Sequence, residues 1–247
     1  MNDVTGDRDT DAMYVGLRGR YAADNAKANG YRSQAWFRRE QELVLHAVGE
    51  GDGVVVDVGC GSGLMLQPLV GKRPLIGVDF NVDACHAATR AGLTVIRGDA
   101  FGMPFRDNSI DVAISCQFFN QQSPEGVHKC VAEIARCLRP GGHAVLVWRN
   151  GDAWIHRIAH TLLTLVDKVV RRPTFANVNH PLDVVAAEAE RHGLQLTRGE
   201  VSLPLLRWSA SSQSRFARST WGASWVAVLE KSVPCQVQTG QLTARAR

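Results

Sequence analysis

The chain has 247 residues, 45% of them hydrophobic, which suits one α/β domain with a modest insertion and is ample for a core. A formal charge of +4 and a pI near 8.8 are only mildly basic, and the positive residues are scattered rather than gathered into a tract, so a solvated surface is expected and no nucleic-acid partner. Residues 1–7 are acidic and lack the apolar centre of a signal peptide, no run approaches membrane-spanning length, and the six cysteines show neither a C-x-x-C pair nor zinc spacing; a cytoplasmic protein with free thiols and no metal is expected.

In chain order, residues 1–12 are polar and expected to be disordered. The spacing of Trp36, Phe37, Leu43, Val44 and Ala47 predicts a helix over 36–48 that packs on a sheet. Next comes Val54-Val55-Val56-Asp57-Val58 running into Gly59-Cys60-Gly61-Ser62-Gly63, a buried parallel strand followed by a glycine loop. The three alternating glycines let backbone approach a ligand where a Cβ would collide. A dinucleotide fingerprint needs its last glycine at the position held by Leu64, so a pyrophosphate site is disfavoured. A helix over 64–70 is expected after the loop, its first N–H groups aimed at the ligand.

Three more apolar runs end at polar residues: Leu75 to Asn81, Val95 to Ala100 and Asp111 to Cys116. Ligands of a doubly wound sheet lie at the C-terminal ends of its parallel strands, so Asp57, Asp79 and Asp99 should converge on one crevice. Helices are predicted over 82–91 and 126–138, then an Arg-Pro-Gly-Gly turn over 139–142 and a strand over 143–148.

With these motifs the chain resembles the class I S-adenosylmethionine-dependent methyltransferases, in particular the small-molecule group that includes the ubiquinone/menaquinone-type enzymes. The resemblance is carried by residues 43–150. It implies a Rossmann-like doubly wound α/β sheet, mostly parallel with an antiparallel last strand at an edge, plus an inserted helical acceptor or lid region. It also implies S-adenosylmethionine as cofactor and a small, partly apolar acceptor, with O-methylation slightly ahead of N- or C-methylation. The donor-binding set it implies is Asp57, Gly59, Cys60, Gly61, Gly63, Asp79, Phe80, Asp99, Ala100 and Cys116. Asp79 would take both ribose hydroxyls, a task suited to a carboxylate. Phe80 would pack on the adenine, Asp99 would receive the exocyclic amine, and Ala100 would offer its N–H to the ring. Gly59 and Gly61 would leave room for the methionine part, and Asp57 would order the loop or bind the amino group through water.

The chain is then read as one domain over 1–247, with a donor-binding half over 13–150, an acceptor and lid region over 151–223 and a loose tail over 232–247. An amphipathic helix over 152–171 is expected as a lid, a packing helix or a basic face touching lipid headgroups. A helix over 182–192 capped by Gly193, a strand over 194–201 and a last strand over 225–230 follow. On the acceptor side Gln121 stands where many relatives carry histidine, and His180 is the other candidate catalytic residue; His156 and His160 lie in the same region. His128 and His143 read as surface or packing residues. Tyr14, Tyr21, Tyr31 and Arg32 either fold over the donor or pack on the core, and residues 208–216 border the acceptor entrance or merely connect.

Cys116-Gln117 is one residue from the Pro-Cys-Gln motif of cytosine-5 methyltransferases, but the proline and the partner Glu-Asn-Val motif are absent, so Cys116 is expected to line the pocket rather than attack a base. Two other readings stand beside the main one: a nucleic-acid or protein methyltransferase, which needs a basic groove, and a donor-binding partner protein without turnover. An aminopropyl transferase is more remote, since the loop lacks the extra acidic positions.

Overall fold

The computed structural model describes residues 31, 34–150, 178–202, 209–211 and 224–233. The chain order is α1 (Gln34–Val48), β1 (Val55–Val58), β2 (Leu75–Asp79), α2 (Val82–Arg90), β3 (Thr94–Arg97), β4 (Ile110–Cys116), α3 (Pro124–Cys137), β5 (Leu138–Arg149), α4 (Leu182–Arg191), β6 (Leu194–Ser202), β7 (Ser209–Ser211) and β8 (Ser224–Lys231). One eight-stranded sheet runs β3-β2-β1-β4-β5-β8-β6-β7. Strands β1 to β5 are parallel where they pair, and β8 is antiparallel to both β5 and β6.

Alternation along the strands builds two cores. Val55, Val112, Ile114, Val145 and Val147 face the side covered by α1 and α2, through Phe37, Leu43, Val44 and Ala88. Val56, Ala113, Ala144, Leu146 and Trp148 face the other side, against Val127, Val131 and Ile134 of α3 and Leu182, Val185 and Ala189 of α4. Each fully buried large side chain contributes about 1.5–3 kcal/mol of apolar transfer, so the central strands are committed to their register on both faces.

Local signals set the helix ends. Asn81 accepts from Ala84 N at 2.7 Å to cap α2, and Ser123 accepts from Gly126 N at 3.1 Å to cap α3, with Pro124 in the first turn where its missing N–H costs nothing. Gly193, at φ +75°, follows α4.

Three expectations are corrected. No α-helix forms over 64–70: the segment is turns and a 3-10 turn at Gln67–Leu69. Pro68 interrupts so short a run, and Gly71 at φ +75° ends it. The Arg-Pro-Gly-Gly stretch belongs to β5, where the pairing shifts between Ile110 and Val112 and the extra residues bulge out. The last strand is antiparallel as expected but lies inside the sheet, between β5 and β6, rather than at an edge. The helix expected over 152–171, His156, His160, Tyr14, Tyr21, Arg32 and most of 208–216 lie outside the described residues. Among the described residues no helix is long and apolar enough to cross a membrane.

Candidate functional site

The sheet changes direction of winding between β1 and β4, and the loops leaving the C-terminal ends of β1, β2, β3 and β4 meet beside that switch point. Their backbones are tied together. Gly59 N and Cys60 N both donate to Val78 O, at 2.8 and 3.1 Å, Gly63 N donates to Cys60 O at 2.9 Å, and Gly98 N donates to Asp79 O at 3.0 Å. Gly61 N donates to Asp79 Oδ2 at 2.8 Å, and Asn81 N to Oδ1 at 3.0 Å. Several N–H groups of the glycine loop are therefore spent inside the protein, which suits a ligand without phosphate.

The glycines differ in what they do. A Cβ on Gly61, at φ +54°, would meet nothing within 4 Å, so this residue opens on empty space. A Cβ on Gly59, at φ +72°, would lie 2.8 Å from the Phe118 ring, whereas one on Gly63, at φ +73°, would press on Leu93 and the Ala88 backbone. Cys60 is buried, and its sulfur lies against Gly77 of β2, so its side chain points into the core and only its backbone borders the crevice. Phe80 is 39% exposed beside Asp79. Asp99 is exposed with Oδ1 accepting from Phe101 N at 2.9 Å, and Ala100 is buried.

Asp57 is fully inside β1, paired with Gly77 and Ile114. Burial, and then the nearby Asp79 carboxylate, push its pKa up to about 7. Burial, with Asp57 and Glu40 adding to it, pushes the Cys116 thiol well above its usual range. A thiol held in that way is a poor nucleophile at neutral pH.

Past β4 the wall is built of side chains. Gln117 has φ +60°, which a non-glycine residue adopts only when its surroundings hold it. Its Nε2 donates to Glu40 Oε2 at 2.9 Å and to Ser224 Oγ at 3.2 Å, and its Oε1 accepts from Asn120 Nδ2. Glu40 is wholly buried and its carboxyl group is satisfied, because it also accepts from Tyr31 OH and Trp36 Nε1, each at 2.8 Å. Asn120 Oδ1 accepts from Arg149 N at 2.8 Å and its carbonyl from Val178 N at 2.8 Å. Phe118 stands near Phe101 and Phe119, with ring centroids 6.3 Å apart in each case, and Phe119 near Trp148. Sequence reasoning missed Glu40 as a site residue; Gln117 and Phe118 belong to the loop from Cys116 to Gln121, which the family resemblance sets next to the reactive methyl, but without the contacts found here. A signal for Glu40 existed, since it sits three residues from Phe37 and from Leu43 on the buried stripe of α1.

Gln121 ends the 3-10 turn Phe119–Gln121 and is half-buried. His180 is 4% exposed: Nε2 donates to Gln122 O at 3.0 Å, and its carbonyl accepts from Trp148 Nε1 at 2.7 Å. It fastens the segment before α4 to the loop after β4. Tyr31 is buried edge-on against Trp36 and Phe37, which makes it part of the core rather than a cover.

Comparison with known proteins accords with this geometry. Residues 56–146 match the model of a methyltransferase domain. Demethylmenaquinone methyltransferase of Renibacterium salmoninarum is 34% identical over 123 residues, covering 48% of this chain and 51% of that protein. The chain thus spans about half the length of the curated relatives it matches. A SAM-dependent methyltransferase of Thermotoga maritima superimposes with a TM-score of 0.65 at 18% identity, covering 89% of this chain and 100% of that one. Geranyl diphosphate C-methyltransferase of Streptomyces coelicolor A3(2), solved with S-adenosyl-L-homocysteine, gives 0.58 at 14% identity, covering 78% and 79%. The chain shares the Rossmann-like fold of these solved structures, and its residues 56–146 are similar to a methyltransferase domain.

Proposed function

We propose that the protein transfers a methyl group from S-adenosylmethionine to a small, partly apolar acceptor, oxygen being favoured over nitrogen or carbon. The observation that carries the reading is the bond between Gly61 N and Asp79, which sets an acid and an open glycine face to face at the switch point of the sheet. The residues fit this donor. A carboxylate accepts about four hydrogen bonds, so Asp79 can hold a ribose diol together with its two backbone donors. Exposed Phe80 suits the adenine face, Asp99 its exocyclic amine and Ala100 N–H a ring nitrogen. The empty volume over Gly61 suits the methionine portion, and buried Asp57 is assigned to ordering the loop.

The donor supplies a methyl carbon already activated by a sulfonium, so the protein has chiefly to align the acceptor in line with it and exclude water. Phe118, packed over Gly59, and its aromatic neighbours form a dry wall beside the reacting position. Gln121 is assigned to orienting the acceptor heteroatom. His180, with its ring nitrogen committed to Gln122 O, is assigned to holding the loop and not to the reaction.

The test is incubation of the purified chain with methyl-labelled S-adenosylmethionine and a small-metabolite extract. The expected result is demethylated donor together with a labelled metabolite. Label entering RNA or protein instead would redirect the reading to a macromolecular acceptor, and tight donor binding without turnover would make the chain a binding partner.

A further inference from the structure

Away from the crevice, α3 and α4 pack side by side on the second face of the sheet. Across their seam three ligand atoms converge. His128 Nδ1 on α3 lies 2.6 Å from Glu188 Oε1 on α4, and His192 Nε2, just past the end of α4, lies 3.0 Å from the same oxygen. The donor atoms of His128, Glu188 and His192 all fall within 4.8 Å of one another. The imidazole centroids are 5.3 Å apart. The other carboxylate oxygen, Oε2, accepts from Arg191 Nη1 at 2.9 Å, which fixes how the carboxylate is turned.

We propose that His128, Glu188 and His192 bind a divalent transition-metal ion, with zinc the best match. Two imidazole nitrogens and one carboxylate oxygen are the ligand types that zinc, cobalt, nickel and copper take. Magnesium and calcium prefer six or more oxygen ligands, which this set does not supply. Bound at bond lengths of about 2.0–2.2 Å in tetrahedral geometry, the ligand atoms stand roughly 3.3 Å apart. The two histidine–Glu188 separations, 2.6 and 3.0 Å, must therefore open by under about 1 Å, and His128, with half its side chain exposed, has room to do so. Each imidazole then presents a lone pair at the coordinating nitrogen, its proton carried by the other ring nitrogen. The Arg191 contact plays the part of the outer partners that commonly orient metal ligands. The fourth position faces solvent, as His128 does, and takes water.

Such an ion joins α4 to α3, whose first turn follows directly on the Phe119–Gln122 loop. It also departs from the expectation of no metal. Glu188 and His192 stand four residues apart on one face, but the full set is not announced by spacing, because His128 reaches them only through the packing of two helices.

The full chain is titrated with Zn²⁺ by calorimetry and with Co²⁺ by absorption, alongside His128→Ala, His192→Ala and, as a control on an exposed histidine elsewhere, His46→Ala. One equivalent should bind to the parent and to His46→Ala, and affinity should fall about tenfold or more in each site variant. The Co²⁺ spectrum should lack sulfur charge-transfer bands. Equal affinity in the parent and both site variants, or sulfur ligation, overturns the site. A second measurement needs no variant: Zn²⁺ should protect His128 and His192 of the parent from diethylpyrocarbonate, read by peptide mass spectrometry. Equal modification with and without Zn²⁺ overturns it as well.

Discussion

The loops after β1 and after β4 leave neighbouring parallel strands at the same edge of the sheet, and both require positive φ. They meet the requirement by opposite means. The loop after β1 uses glycines and binds its own backbone to Val78 O and Asp79, so its shape comes from the glycine stretch and the last two residues of the adjacent β2. The loop after β4 places Gln117 at φ +60° and holds it by side chains from α1 and β8 and by Asn120 beside it. The first is a local device and the second a tertiary one. They touch where Phe118 lies over Gly59. The contrast teaches that the proposed donor loop is encoded largely in short-range sequence, whereas the proposed acceptor wall exists only once the whole sheet has formed.

The sharpest way to break the contrast is at Glu40. Glu40→Ala leaves the donors of Tyr31, Trp36 and Gln117 without their shared acceptor and should cost about 3–5 kcal/mol of stability, read by urea unfolding. Turnover should fall further than donor affinity in the fraction that stays folded. A loss under about 1 kcal/mol would mean the second loop does not depend on this network.

Asp57 tests the floor that the two loops share. Its carboxyl titrates near 7 in the folded chain against about 4 when unfolded, so the folded state holds the proton more tightly. Its contribution is fully present below pH 4 and is lost as pH rises towards 7, by as much as ~4 kcal/mol, and it is level above that. The difference in stability between the parent and Asp57→Asn should therefore slope between pH 4 and 7. A flat difference would remove Asp57 from that role.

Asp79→Ala addresses the first loop alone. Loss of charge-assisted bonds to the ribose should weaken S-adenosylmethionine binding by about 2–4 kcal/mol in a chain that stays folded. Unchanged calorimetric affinity would sink the donor assignment. The smallest effect belongs to Cys116→Ser. A thiol raised by burial is wall and not nucleophile, so turnover should stay within about tenfold, ~1.4 kcal/mol. Near-complete inactivation with intact donor binding would move the chemistry to covalent attack on a base.

The parts legible in the sequence are those whose cause is local. Val54 to Val58, Leu75 to Asp79 and Asp111 to Cys116 read as strands because they are short apolar runs buried on both faces that end at a glycine loop or a polar residue. The α2 and α3 ends follow from Asn81 and Ser123. The 64–70 segment misled because its apolar residues suit a helix, while Pro68 and the shortness of the run decide otherwise. The interior position of β8 could not be read, since Trp225 to Leu229 is equally apolar whether its neighbours are one strand or two. Gln117 was beyond sequence reading for the same kind of reason. Its partners at 40, 120 and 224 meet only through topology.

The place of β8 has a consequence for the order in which the chain can be made. During synthesis β5 and β6 emerge before the strand that joins them, and until Ser224–Lys231 has cleared the ribosome β5 lacks its neighbour along an apolar stretch and β6 lacks it along a mixed one. The pairings Val145 with Val228 and Val201 with Trp225 then close the sheet in one late step. Contacts so distant in sequence fold slowly. A nascent chain that stalls before Trp225 therefore exposes the apolar stretch of β5 that Ser224–Lys231 covers in the finished sheet, the kind of surface that makes folding intermediates prone to aggregate, even though all five of its parallel strands have been made.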